Sequence, residues 1–403
     1  SFCRQPIATR PVFRHFSEEF TTMSPRFLLR YPVVAASLAG SLALTACSWG
    51  YKPPPPTPLQ ANPATAPASM AWRGSMGGSV TVPMQMAVQA NQVLVADVQG
   101  NVQALDSSSG LPLWTLHIGQ PLSAGIGFDG NTAAVITAKS ELLTIRNGAI
   151  LWRVPLQNPS HTTPLIAGGR MFVLGSDHSV HAHDGNNGYL LWGQKSQAPE
   201  NRLVLTQPFL LMPAGGALFA GVAGSIVGFN PDNGNILAET TLANPRGVTE
   251  LSQVVNVLMP ASRIGDSLCA RAYQATVGCT NLANGTLQWV QPHVGSTGVS
   301  GNAQIVVGAD NDDVLTAWAR QDGKVVWKNE TFKHRNLSAP LVAGDSIVIG
   351  DSQGYVHILS ASNGTLRNRV RIDESPIQTA PVLAGNTVVI ATSKGTVAGL
   401  NLQ

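Results

Sequence analysis

Leu44-Thr45-Ala46-Cys47 sets small residues directly ahead of a thiol. A lipoprotein signal peptidase needs this arrangement, because the cysteine must be reached, acylated and left as the new N-terminus. Upstream, Met23-Ser24-Pro25-Arg26-Phe27-Leu28-Leu29-Arg30 forms a basic segment, and an apolar run follows from Val33 to Leu44. That run is too short to span a bilayer as a helix and has the length of a signal-peptide core. An ordinary secretory signal with an incidental cysteine is the competing reading. Ser48, rather than an aspartate, follows Cys47, which favours the outer membrane and its periplasmic face. The expectation is a lipoprotein of a Gram-negative envelope, acylated at Cys47.

Other reactive or ligating residue types fall into patterns that structure explains better than chemistry. His178-x-x-His181-x-His183-Asp184 has metal-ligand types at close spacing, and 181 and 183 would share a strand face. The stronger reading is a strand ending in a polar turn. Asp310-Asn311-Asp312-Asp313 lacks the downstream glycine and glutamate spacing of a calcium loop and reads as a hairpin turn. Cys269 and Cys279, ten residues apart across an expected hairpin, can meet at disulfide distance in an oxidising compartment. The chain carries no Gly-x-Ser-x-Gly, His-Glu-x-x-His, Gly-x-x-x-x-Gly-Lys or Cys-x-x-Cys-His motif. No catalytic, cofactor-binding or metal residue is assigned.

Charge excludes a further class. Removing the five arginines and two glutamates ahead of Cys47 leaves 20 basic and 20 acidic residues. A balanced chain without basic runs gives no electrostatic case for nucleic acid. Residues 1–22 are read as lying upstream of a start at Met23, and 23–46 as the signal peptide. Residues 47–68 hold the acylated cysteine and a proline-rich tether, with Pro53-Pro54-Pro55-Pro56 and prolines at 58, 63 and 67. Such a segment is expected to be an extended, uncored spacer reaching up to ~60 Å.

The elements that must position everything else recur along residues 69–403. Val93 to Ala96 and Val102 to Asp106 read as a strand pair, followed by Gly110 and, four residues on, Trp114. The same spacing returns at Gly148/Trp152, Gly188/Trp192, Gly285/Trp289 and Gly323/Trp327, and without tryptophan at Gly234/Ala238 and Gly364/Asn368. Successive glycines lie 38, 40, 46, 51, 38 and 41 residues apart. Periods near forty with short strands mark propeller blades, because one four-stranded blade cannot bury either apolar face alone. Trp72, Trp114, Trp152, Trp192, Trp289 and Trp327 are expected to fill the wedge between blades, and the glycines to supply a positive-φ turn. An eighth frame around Gly395 stops before its outer strand, which the segment around Trp72 is expected to supply, closing the ring from both chain ends. The expected fold is all-β: an eight-bladed β-propeller of four-stranded antiparallel blades, with seven blades as the alternative.

This frame resembles the quinoprotein-alcohol-dehydrogenase-like (PQQ-like) repeat. Behind the acylation motif, the stretches Pro245-Arg246-Gly247-Val248-Thr249-Glu250-Leu251 and Ser338-Ala339-Pro340 through Asp351-Ser352-Gln353-Gly354-Tyr355-Val356-His357 are similar to the BamB family of outer-membrane β-barrel assembly lipoproteins. Cys269-Ala270-Arg271-Ala272-Tyr273-Gln274 with Cys279 is also like one lineage of that family. The resemblance implies a non-enzymatic scaffold of the assembly (BAM) complex. It would bind the periplasmic domains of the barrel-forming subunit, aid barrel insertion and help unfolded barrel precursors reach that subunit.

Two loops would carry the contact. One matches a family Leu-x-Leu segment at Leu203-Val204-Leu205-Thr206, with Thr206 where an arginine is often found. The other includes Arg246 and Glu250 and continues to Gln253 and Asn256, where the family tends to place aspartates. These departures weaken the charged part of the contact and leave main-chain pairing untouched. The alternative is a quinoprotein-like propeller binding a cofactor or small ligand. It is disfavoured by the absence of an adjacent cysteine pair and by tryptophans already used between blades.

Overall fold

Short apolar runs such as Val93-Leu94-Val95-Ala96 and Ile347-Val348-Ile349 are buried on both faces, which only stacking of sheets against sheets can achieve. A computed structural model of the chain describes residues 54–194, 205–245 and 254–402. Those residues form eight four-stranded sheets, each antiparallel throughout. Blade 1 is typical: β2 (Ala87–Gln89) lies innermost, then β3 (Gln92–Ala96), β4 (Asn101–Asp106) and the outer β5 (Pro112–His117). Blades 2 to 7 repeat this order over 127–155, 165–194, 211–241, 257–292, 300–329 and 341–371. No α-helix occurs among the described residues, and none is long and apolar enough to cross a membrane.

Blade 8 closes the ring. Its outer strand is β1 (Ser69–Ser75), which pairs antiparallel with the last strand, β32 (Thr396–Asn401). Ser69 lies opposite Asn401 and Ser75 opposite Thr396. One sheet therefore contains both ends of the folded chain, so the ring cannot open without breaking a full strand pairing. This is the eight-bladed closure expected from the truncated last frame.

Each blade turn is tied to the blade before it. Gly110, Gly188, Gly234, Gly323 and Gly364 all have φ between +68° and +79°. Against these five glycines pack the indoles of Trp72, Trp152, Trp192, Trp289 and Trp327, each from the preceding blade. The indole N–H of each donates to a carbonyl three residues before the glycine: Ser107, Gly185, Pro231, Arg320 and Ala361, at 2.7 to 3.0 Å. The glycine thus does two jobs. It takes the left-handed turn, and its missing Cβ leaves room for the neighbouring ring. Trp114 lies beside Gly148 in a shorter turn, its Cβ 3.4 Å from where a side chain would begin. Where Ala238 replaces tryptophan, it sits under Gly285 in the same way, at 3.3 Å.

The proline-rich segment differs from the expected free spacer. Thr57 donates its backbone N–H to Lys333 O at 3.0 Å, Thr65 donates to Arg367 O at 2.8 Å, and Ala66 is buried. Proline removes donors only at its own positions. The threonines and Asn62 between the prolines supply them; the outer strand of blade 7 accepts from Thr65 and Asn62, and Lys333, in the connection ahead of that blade, accepts from Thr57.

Candidate functional site

The two loops singled out from the sequence are both connections from the outer strand of one blade to the inner strand of the next. Leu203, Arg246, Glu250 and Gln253 lie outside the described residues, as does Cys47. The roots of both loops are described, and they converge. Leu210 donates to Val257 O at 2.8 Å, Met259 donates to Pro208 O at 2.9 Å, and Phe209 bridges Leu258. The chain leaving the first loop therefore runs antiparallel to β18 (Val257–Ile264), the strand that the second loop enters. Main-chain pairing fixes the two roots side by side at blades 4 and 5.

The side chains at these roots are less available than the sequence implied. Leu205 is half-buried and packs against the apolar cluster of blades 3 and 4 around Phe172, Phe209 and Leu218. Thr206 is exposed. Asn256 is buried. It does not face solvent as a contact residue would. His178, whose ring lies 6.0 Å from that of Phe209, is held below its ordinary pKa by burial.

A cleft of about 500 Å³ opens beside the second loop, with Asn244 and Val254 from its two ends in the wall. Tyr273, Gln274, His293 and Asp310 complete the polar part of the lining. Beneath it Arg271 is fully buried and donates to the carbonyls of His293 at 2.9 Å and Ala309 at 2.8 Å. Burial lowers Arg271 to about 10, opposed by the charge of Asp310. His293 is pushed down to about 3, first by burial, then by the cations Arg271 and Lys328. The cleft is thus neutral at His293, with a guanidinium buried under its floor.

The remaining candidate chemistry resolves into structure. His181 bonds Ser179 Oγ at 2.9 Å and His183 bonds Gly188 O at 2.9 Å, and among the described residues no group of three or more ligating side chains could hold a metal. Asp310 accepts the N–H groups of Asp312 and Val314 within its own turn. Asp313 reaches the next blade to accept from Asn336 at 2.7 Å and Leu337 at 2.9 Å. Cys269 and Cys279 lie directly opposite on neighbouring strands of blade 5 and are bonded to each other, with Cα atoms 4.0 Å apart. The axial cavity, about 510 Å³, is lined by all eight blades with Gln, Ser, Thr, Pro, Gly and apolar side chains, none of them charged. It offers no counter-charge to an anionic cofactor.

One buried polar cluster was not anticipated, although the sequence had marked its residues as distinctive. In blade 7, Asp351 and His357 are fully buried and Arg335 nearly so. Arg335 Nε donates to Asp351 at 2.8 Å, and His357 Nε2 bonds the same carboxylate at 2.9 Å. Arg369 Nε donates to His357 Nδ1 at 3.2 Å, so the imidazole is neutral with its proton on Nε2. Burial lowers the His357 pKa, opposed by Asp351. Burial alone would raise Asp351; the hydrogen bonds led by His357 hold it below its usual range. The signal was the close run of Asp351, Gln353 and His357 in a blade without a tryptophan.

An eight-bladed ring of tryptophan-docked repeats, closed by both ends of the folded chain, defines a β-propeller of the PQQ-like-repeat class. The profile of the family described as "Outer membrane protein assembly factor BamB" matches residues 98–329 and 331–403. The proteins of that name from Burkholderia pseudomallei and Bordetella pertussis are 32% and 30% identical to this chain. The first alignment covers 88% of this chain and 93% of the relative, the second 84% and 89%. The chain belongs to this family, whose members are assembly factors rather than enzymes. The crystal structure of BamB from Moraxella catarrhalis superposes with a TM-score of 0.75 at 20% identity, over 83% of this chain and 99% of that one. A quinohemoprotein alcohol dehydrogenase from Comamonas testosteroni gives 0.65 at 12% identity, over 85% and 78%, and shares the fold alone.

Proposed function

We propose that the chain is a lipid-anchored periplasmic scaffold of outer-membrane protein assembly. Cys47 carries the acyl chains, and the loops at Leu203–Thr206 and Arg246–Asn256 hold the periplasmic domains of a BamA-like barrel-forming subunit. The observation that carries this reading is the pairing of the two loop roots through Leu210, Val257, Pro208 and Met259. Side-by-side roots support a single binding surface built from both loops. Exposed main chain at such loops can add a strand to a partner with little dependence on side-chain charge. That suits Thr206 and Gln253 standing where the family tends to place charges. The outer strands carry exposed apolar pairs such as Leu190/Leu191 and Ile236/Leu237, edges suited to a strand of an unfolded barrel precursor.

The decisive experiment is co-purification from outer membranes in mild detergent. Because Leu205 packs against the core, the variant of choice is Leu203→Asp combined with Glu250→Arg. The wild type is expected to recover a large barrel protein with repeated periplasmic domains. The variant is expected to lose it while keeping its strand circular dichroism. Full retention by the folded variant would overturn the assignment of the loops.

A further inference from the structure

The segment between the prolines is a strap across blade 7. Thr65 N donates to Arg367 O at 2.8 Å, Asn62 Nδ2 to Arg369 O at 3.2 Å, and Arg369 Nη1 to Gln60 O at 3.0 Å. The strap therefore descends in number as β29 (Leu366–Arg371) ascends, in antiparallel sense along its outer edge. Asn368 Nδ2 donates to Ala66 O at 2.6 Å, and Asn62 Nδ2 donates to Asn368 Oδ1 at 2.9 Å. Beyond the strand, Thr57 Oγ1 donates to Lys333 O at 2.9 Å and Arg335 Nη1 to Thr57 O at 2.8 Å.

The strap also explains why blade 7 has Asn368 where six other blades have tryptophan. A blade's indole docks on the glycine turn ahead of the next blade's outer strand. Blade 8 has no such turn, because its outer strand comes from the other end of the chain. An indole at 368 would have no platform. The amide of Asn368 instead bonds the strap that fills the same place.

The strap crosses from the face of the glycine turns to the opposite face and ends at Thr57. The guanidinium holding Thr57 also bonds Asp351 and Gln353 in the second turn of blade 7, and Lys333 lies in the connection between blades 6 and 7. Turns and connections of this kind, including the described roots of both candidate loops, share that face. Only nine residues separate Cys47 from Thr57, four of them the prolines 53–56. At about 3.1 Å per residue they reach no more than ~30 Å, half the length available to a free tether.

We propose that the strap turns this face toward the bilayer, with the Lys333 corner closest to a phospholipid surface. The proposal rests on acylation of Cys47. The test uses the full acylated chain in vesicles of phosphatidylethanolamine and phosphatidylglycerol carrying a headgroup energy acceptor. A donor dye is placed at Lys333→Cys or at Tyr189→Cys, an exposed glycine-turn position on the opposite face of blade 3, diametrically across the ring. Transfer from 333 is expected to exceed that from 189 several-fold, and Asn368→Ala with Arg369→Ala should bring the two toward equality. Equal transfer in the unaltered protein would overturn the orientation. Failure of the protein to float with the vesicles would overturn the lipid surface as its partner. The strap has its own check: Thr57→Cys with Lys333→Cys should cross-link on oxidation in detergent, and no cross-link would overturn the docked strap whatever the anchor does.

Discussion

The indole N–H of Trp72 donates to Ser107 O at 2.8 Å, joining the first strand of the ring to blade 1. Trp72 belongs to blade 8, so this bond and the ring's packing on Gly110 lock the two ends of the propeller to its beginning. Trp72→Ala should destabilise the protein by about 3–5 kcal/mol, the usual cost of removing a buried tryptophan. Trp72→Phe should cost less, since it loses the hydrogen bond and keeps most of the apolar contact. Urea unfolding followed by circular dichroism measures both, and equal losses would show that the hydrogen bond dominates.

The buried carboxylate of Asp351 makes a second prediction. It accepts from Arg335 and from His357 with no exposure to water. Asp351→Ala leaves a buried guanidinium without its anion and should destabilise by about 3–5 kcal/mol. Gln353→Ala, at an exposed position bonded to the same arginine, should cost under about 1 kcal/mol. Comparable losses in the two variants would mean that the ion pair is not what holds this corner.

Acid should weaken the fold in a window set by histidines. His293 titrates at about 3 in the folded protein, against 6.5 when free. Between those values the unfolded chain binds a proton that the folded protein refuses, so stability falls as pH drops from about 6.5 toward 3. Burial shifts His178, His181, His183 and His357 in the same direction and steepens the fall. Asp351 adds to the loss at the acid end, its stabilisation vanishing as pH falls below the usual carboxylate range and through its lowered value. Thermal melts from pH 7.5 to 4 should show a falling Tm, with a shallower slope for His293→Gln. An unchanged slope in that variant would remove His293 from the account.

The bond between Cys269 and Cys279 predicts thiol chemistry. Unfolded without reductant, the protein acylated at Cys47 should show no free thiol, and after reduction two. Closing a ten-residue loop is worth about 2–3 kcal/mol in the chain-entropy estimate, so Cys269→Ser with Cys279→Ser should lower stability by that order. Two reactive thiols before reduction would show the bond absent in solution.

Most of the ring was legible in the residues. A glycine followed four positions later by tryptophan repeats because each blade needs the same turn and the same wedge, and local chemistry recurs wherever local geometry does. The missing outer strand after Gly395, with a spare tryptophan at 72, was enough to infer how the circle closes. What the sequence could not show was which blade each tryptophan serves, since docking joins residues about 31 to 39 positions apart through space. Nor could it show that Asn256 is buried, or that Leu205 belongs partly to the core, because alternation along a strand does not say which neighbour covers a face. The strap was hidden for a related reason. Proline density correctly signals an extended chain, but whether an extended chain is free or docked depends on the edge it meets. Blade 7, 302 residues away at Arg367, supplies that edge only once the ring has closed. Repeating local geometry is written in sequence; contacts between the chain's distant ends exist only in the folded molecule.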